Sequence, residues 1–297
     1  MKVSIITPFY KGNAYMRQYA EMIQRVEQHL AYNNTEDELE VILVNDSPDV
    51  EIIIPQGAPT VKSLRILQNE TNQGIHKSRI RGLEEAQGDY VMFLDQDDVL
   101  AEQAITSLLK EAKSHPKAVV VANALLEQKD TSELWYRTDY HKERVGDYRT
   151  YLTIGTQIIS PGQCLIPRNL IPDIWKEKCC TVNGSDDYYL WLLLLQQGVS
   201  FRYLDEPLYI HRYTAENLSA DTTKTDASVY EFVTFLQEAK ALPEKDIELL
   251  LRMIRYKDAF RRGNLITKVV ETIKHLDLFM ENLRFKLGTK TPYGFNR

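Results

Sequence analysis

The chain is 297 residues long, with 43% hydrophobic and 26% charged residues, which suits one large α/β domain carrying a smaller helical addition and leaves little room for long disorder. Its formal net charge of −6 argues against broad electrostatic attraction to nucleic acid or anionic lipid, so an anionic ligand has to be held by local groups. Cys164, Cys179 and Cys180 form neither an even disulfide framework nor a metal-type spacing, and the N-terminal apolar run stops at Pro8, so a reducing, cytoplasmic setting is the expectation.

The first predicted strand covers residues 3–7. Tyr15, Tyr19, Met22, Ile23, Val26 and Leu30 then recur at helical spacing before a second apolar, β-branched run at 41–45. Further runs at 64–67, 90–94 and 118–121 predict buried strands, with a helix marked by Ile105, Leu108, Leu109 and Ala112 before the last. This alternation predicts a mostly parallel central sheet covered by helices on both faces. Past residue 125 the pattern loosens, until a long apolar helix begins near Asp187. From about Thr225 three helical segments follow, marked by Tyr230, Val233 and Leu236, by Ile247, Leu250, Leu251 and Ile254, and by Ile266, Val269, Val270 and Ile273. They predict a C-terminal helical appendage.

Ligands of open α/β sheets sit beyond the carboxyl ends of the strands, and the residues just after these runs are polar. Asp95-Gln96-Asp97-Asp98 gathers carboxylates whose repulsion a hard divalent cation, Mg²⁺ or Mn²⁺, would relieve; a solvated, helix-capping turn is the other reading of the same residues. Asp46, at the end of the second strand, is placed to accept a hydrogen bond from a base ring N–H and Tyr10 to stack on that base, or they are a capping aspartate and a half-buried tyrosine. Asn72-Gln73-Gly74 opens a helix bearing His76, Lys77, Arg79 and Arg81, which suits a diphosphate or, equally, a turn before a solvated basic helix.

Taken in order, these segments resemble the family 2 inverting glycosyltransferases of GT-A fold. The likeness rests on Val3-Ser4-Ile5-Ile6-Thr7-Pro8-Phe9-Tyr10, Asp46-Ser47, Asn72-Gln73-Gly74 with Arg79, and Phe93-Leu94-Asp95-Gln96-Asp97-Asp98. It continues at Gly184-Ser185-Asp186-Asp187, similar to the family's Glu-Asp element before an apolar helix, and at residues 207–213 with Asn217 and Ser219. Four places depart from the pattern: Ile80 replaces a frequent asparagine, Asp186 a more usual glutamate, Tyr189 an often acidic residue, and His211 precedes Arg212 where family members often have arginine, one residue, then histidine.

The resemblance implies a nucleotide-sugar donor, UDP-linked by family likeness, held by Thr7, Pro8, Tyr10, Asp46, Asn72, Gly74, Lys77, Arg79, Asp95 and Asp97. It implies Mn²⁺ or Mg²⁺ at Asp97 and Asp98, with His211 as a further metal or phosphate contact or, equally, a structural histidine, and Asp187 as the base that activates a hydroxyl of a glycan or lipid-linked acceptor. A GT-A domain is expected over 1–222, with a donor half at 1–124 and an acceptor and catalytic half at 125–222, followed by a helical region at 223–297. The basic, aromatic tail containing Arg284, Phe285, Lys286 and Tyr293 has two readings, peripheral contact with the inner face of a membrane or packing on the domain, of which packing is favoured; oligomeric state and the identity of the sugar are encoded in no motif. Three rival functions are weighed. A glycoside hydrolase with paired carboxylates would not require the ordered nucleotide-site elements. A sugar nucleotidyltransferase would need a Gly-rich loop where residues 8–12 supply one glycine, and a catalytically altered binding partner is opposed by the intact acidic positions.

Overall fold

The computed structural model describes residues 1–33, 36–128, 131–213 and 222–290. Strand β1 (Lys2–Phe9) leads to helix α1 (Met16–Tyr32), then β2 (Glu38–Asn45), β3 (Leu64–Gln68), α2 (Ile75–Glu85), β4 (Tyr90–Phe93), a short β5 (Val99–Leu100), α3 (Ala104–Ser114) and a long β6 (Ala118–Gln128). The five predicted strands and both predicted helices are present. In the second half lie β7 (Thr131–Leu134), the short helices α4 (Asp139–Lys142) and α5 (Tyr148–Thr153), β8 (Cys164–Pro167), α6 (Asp173–Glu177), α7 (Asp186–Gln196) and β9 (Ser200–Arg212). Helices α8 (Thr222–Glu238), α9 (Glu244–Arg262), α10 (Leu265–Lys274) and α11 (Leu276–Thr289) complete the described chain, where the spacing predicted three.

The strands form one mixed sheet in the order β3-β2-β1-β4-β8-β6-β9-β5, with β7 paired to β6. From β3 to β4 every pairing is parallel, as expected, whereas β8 runs antiparallel to both β4 and β6 and β5 is antiparallel to β9. The parallel half follows from sequence: 41–44 and 90–94 are buried, branched or aromatic, and such strands need helices on both faces. The chain lays β2 and β3 on one side of β1 and returns to place β4 on the other. That reversal opens a crevice beyond the ends of β1 and β4.

Helix α7 is apolar on every side, with Leu190, Trp191, Leu192, Leu193 and Leu194 all buried, so it can stand only in the interior. Helix α8 covers it. The Phe232 ring stacks on Tyr189 at 5.5 Å and meets Tyr188 edge-on at 5.4 Å, while Glu231 accepts from the backbone N–H groups of Thr181 and Val182 ahead of α7. The C-terminal helices therefore share the core that holds α7 in place. In β9, Pro207 has no N–H to donate to the ladder, and the register against β6 shifts on either side of its partner Asn123.

Candidate active site

The loop after β4 lies across the crevice from the first turn of α7. Between them is a cavity of about 790 Å³ whose walls include Tyr10, Asp46, Asn72, Arg79, Asp97 and Asp187. Pro8, Asp95, Asp98 and His211 also face it. Three expected donor residues take other positions. Thr7 turns into the core, where its hydroxyl meets the Tyr19 hydroxyl at 2.8 Å, and Lys77 is exposed on the far side of α2, since two positions along a helix from Arg79 is more than half a turn away. Gly74 stands behind the wall. Its φ of +85° and a Cβ position 2.8 Å from Asn183 Oδ1 make glycine the residue that fits.

The start of α2 is already hydrogen-bonded. Asp46 Oδ1 accepts from Gln73 N and from the Asn69 amide, both at 2.7 Å, Asp46 Oδ2 accepts from Gly74 N at 2.8 Å, and Asn183 Oδ1 accepts from Ile75 N at 3.0 Å. A free set of backbone donors for a diphosphate, expected at this helix start, is thus occupied by the protein's own carboxylate and amide. Asp46 keeps one of roughly four acceptor positions open toward the cleft. Above it, Gln96 clamps the backbone of Tyr10, accepting from its N–H at 2.9 Å and donating to its carbonyl at 3.2 Å, and leaves the ring exposed at the mouth.

Arg79 ties the two acidic elements together. Its guanidinium donates to Asp95 Oδ1 and to Asp186 Oδ2, each at 2.7 Å, and only 4% of its side chain is exposed. Burial works against the charged guanidinium, but Asp186, Asp95 and Asp187 outweigh it and hold the charge on. The second oxygen of Asp95 accepts from the Ser160 hydroxyl at 3.1 Å. Asp98 is buried and has three of its roughly four acceptor positions filled, accepting from the Tyr209 hydroxyl and from Arg212 N at 2.9 Å, with His211 Nδ1 at 3.1 Å. Burial opposes the charged His211 ring, yet the Asp98 hydrogen bond and charge keep its pKa above the usual histidine value.

Half-buried Asp97 differs from Asp95 and Asp98 in that no other described residue is its side-chain partner. Burial and the charges of Asp98 and Asp95 push its carboxyl up to about 7. Among the described residues no group of three or more His, Cys, Asp or Glu side chains is arranged to hold an ion alone. One unsatisfied carboxylate beside two more nevertheless suits a hard cation whose remaining ligands are phosphate oxygens and water.

The two aspartates that open α7 are separated by their surroundings. Burial disfavours ionised Asp186, but Arg79 and His76 prevail and hold its carboxyl below the usual range. Among the described residues Asp187 has no such ion pair; burial and the Asp186 charge push it up to about 7, and its Oδ1 accepts from Tyr188 N at 2.8 Å. Asp187 and His211 also line a second, smaller cavity of about 260 Å³, closed on its other sides by Trp135, Gln157, Lys257 and Phe285. Lys257 and Phe285 come from α9 and α11. Sequence reasoning missed Gln96, Ser160, Asn183 and Tyr209 because their roles arise from contacts between distant segments; only the turn at Ser160-Pro161-Gly162 carried a local signal. Asn217 and Ser219 lie outside the described residues.

A cleft at the switch point of a curled α/β sheet, with an acidic loop facing carboxylates on a buried helix, is the architecture of a glycosyltransferase. The chain belongs to Glycosyl transferase family 2, whose profile matches residues 4–175. An uncharacterized glycosyltransferase of Haemophilus influenzae is 25% identical over 246 residues, spanning 76% of this chain and 74% of its own length. The minor teichoic acid biosynthesis protein GgaB of Bacillus subtilis is 31% identical over 118 residues, 39% of this chain but 12% of GgaB. Among solved structures, S. aureus TarS 1–349 in complex with UDP superposes with a TM-score of 0.62 at 18% identity, over 89% of this chain and 74% of that one, and its UDP-GlcNAc complex with a TM-score of 0.59.

Proposed function

We propose that the chain transfers a sugar with inversion from a nucleoside-diphosphate sugar, UDP-linked, to a hydroxyl of a glycan or lipid-linked acceptor. The observation that carries this reading is the position of Asp187 on the wall common to the two cavities. The larger cavity takes the donor: the Tyr10 ring is exposed for stacking on the base, Asp46 has one acceptor position left for a base N–H, and Asn72 and Pro8 line the same end. Asp95, held by Arg79 and Ser160, faces the sugar or ribose hydroxyls. The smaller cavity takes the acceptor, with aromatic faces and amides of the kind that sugar rings meet.

In the transfer, an acceptor oxygen attacks the anomeric carbon as the bond from that carbon to the phosphate oxygen breaks. The nucleoside diphosphate departs with the bonding electrons, and Asp187 receives the hydroxyl proton. Asp97 and Asp98 are the residues that would hold Mn²⁺ or Mg²⁺, which would supply neutralising charge to the phosphate oxygens. The Asp186–Arg79–Asp95 brace keeps base and donor loop in register, and such alignment supplies much of the rate enhancement in bimolecular transfer. The resemblance to UDP-binding structures supports the donor class, and the open Asp97 carboxylate supports the ion.

The reading is tested by incubating the protein with a panel of UDP- and GDP-sugars, with and without Mn²⁺ and with excess EDTA, and identifying the nucleotide released. Nucleoside diphosphate release from a UDP-sugar, weakened by chelation together with donor affinity, is expected. Pyrophosphate production would mark a nucleotidyltransferase, binding without turnover a partner protein, and full activity in EDTA would remove the ion from the account.

A further inference from the structure

A surface helix normally turns its apolar stripe inward and its charges to water. Helix α10 does the reverse. Leu265, Ile266 and Ile273 are 76, 75 and 72% exposed, and Val269 between them is 52% exposed. The half-buried face is the polar one: Lys268 lies over the Phe260 ring of α9 at 5.5 Å, and His275, just past the helix, meets Tyr256 of α9 at 5.8 Å. Leu276 extends the exposed apolar strip into the next turn. Phe285, in the basic, aromatic tail, packs inward against His141 at 5.6 Å. The apolar surface is therefore on α10.

We propose that α10 seats the protein on an anionic lipid bilayer, lying in the interface with this face down. Ten residues of helix span about 15 Å, half of a hydrocarbon core, and no helix among the described residues is long and apolar enough to cross a membrane. Charge selects lipid over a second copy. Residues 261–297 carry eight Lys or Arg against three Asp or Glu, in a chain whose net charge is −6; Arg261 and Arg262 pair with Asp226 and Asp258 and Lys274 with Glu271, so among the described residues Lys268, Arg284, Lys286 and Lys290 carry the remaining positive charge. A symmetric dimer through α10 would set two cation-rich segments against each other, whereas anionic headgroups neutralise them. Because α9 and α11 flank α10 and line the smaller cavity, docking holds that cavity beside the bilayer; the docking itself does not depend on what the cavity binds.

The test is cosedimentation of the full chain with vesicles of phosphatidylcholine alone and with about 30 mol% phosphatidylglycerol. Binding to the anionic vesicles is expected, falling as salt is raised to about 0.5 M. The Ile266→Ser, Ile273→Ser double variant should bind at least about tenfold more weakly, with an unchanged melting temperature. Amide hydrogen exchange on the unmodified protein gives a second readout, with vesicles slowing exchange in α10. Absence of binding to either vesicle, equal binding by the folded double variant, or vesicle protection that leaves out α10 would overturn the proposal. So would a dimer in solution that the double variant dissociates, since the face then belongs to a second copy.

Discussion

Adjacent aspartates at the head of α7 show how environment divides one residue type between two tasks. Asp186 is anchored at 2.7 Å by a buried guanidinium and stays ionised, so it can brace but is poorly suited to take up a proton. Asp187, pushed up to about 7 by burial and by that neighbouring charge, is basic enough to accept a hydroxyl proton and still ionised near neutrality. The sign follows directly: a base must start unprotonated, and Asp187 regains its proton as the pH falls through its pKa. We expect kcat/KM for transfer to fall about tenfold per unit below about pH 7, checked by a pH–rate profile at saturating metal. A profile flat from pH 8 to about 5 would mean that a group with an ordinary carboxylate pKa, or none, accepts the proton.

Helices α7 and α8 form a pair in which one carries the proposed base and the other packs against it. Phe232 is fully buried between Tyr188 and Tyr189, the residues that follow Asp187. Its replacement by alanine should cost about 3 to 5 kcal/mol in urea unfolding and lower turnover more than donor binding, because α7 loses its backing while the donor loop does not. A Phe232→Ala protein with unaltered turnover would show that α8 is not needed to place the base. Strands β1 to β4 and the first helices were legible in the sequence because their apolar periodicity is local and uninterrupted. The antiparallel β8, the shifted register at Pro207 and the partners of Asp98 were not, since each depends on a residue far away in the chain. Helix α10 was legible as a helix, but its spacing says only that one face is apolar; that this face points outward is decided by which side packs on α9. Likewise the Asn72-Gln73-Gly74 turn was recognisable, while occupation of its N–H groups by Asp46 and Asn183 required the folded chain.

At the scale of the molecule, one cavity lies within the α/β half and a second between that half and the C-terminal helices, and they meet at Asp187. In the proposed reading, such a plan lets a donor and an acceptor enter separately and react where, among the described residues, one carboxylate borders both. The Arg79 bridge joins the donor loop to α7 across this junction, so the relative position of the two sites is built into the fold. The most direct test is Asp187→Asn, a near-isosteric change that removes the base and leaves the donor cavity in place. Transfer should fall by about 10²- to 10⁴-fold while the affinity for a UDP-sugar, measured by calorimetry, stays within a few-fold of the unmodified protein. Turnover preserved in Asp187→Asn at undiminished donor affinity would contradict the account.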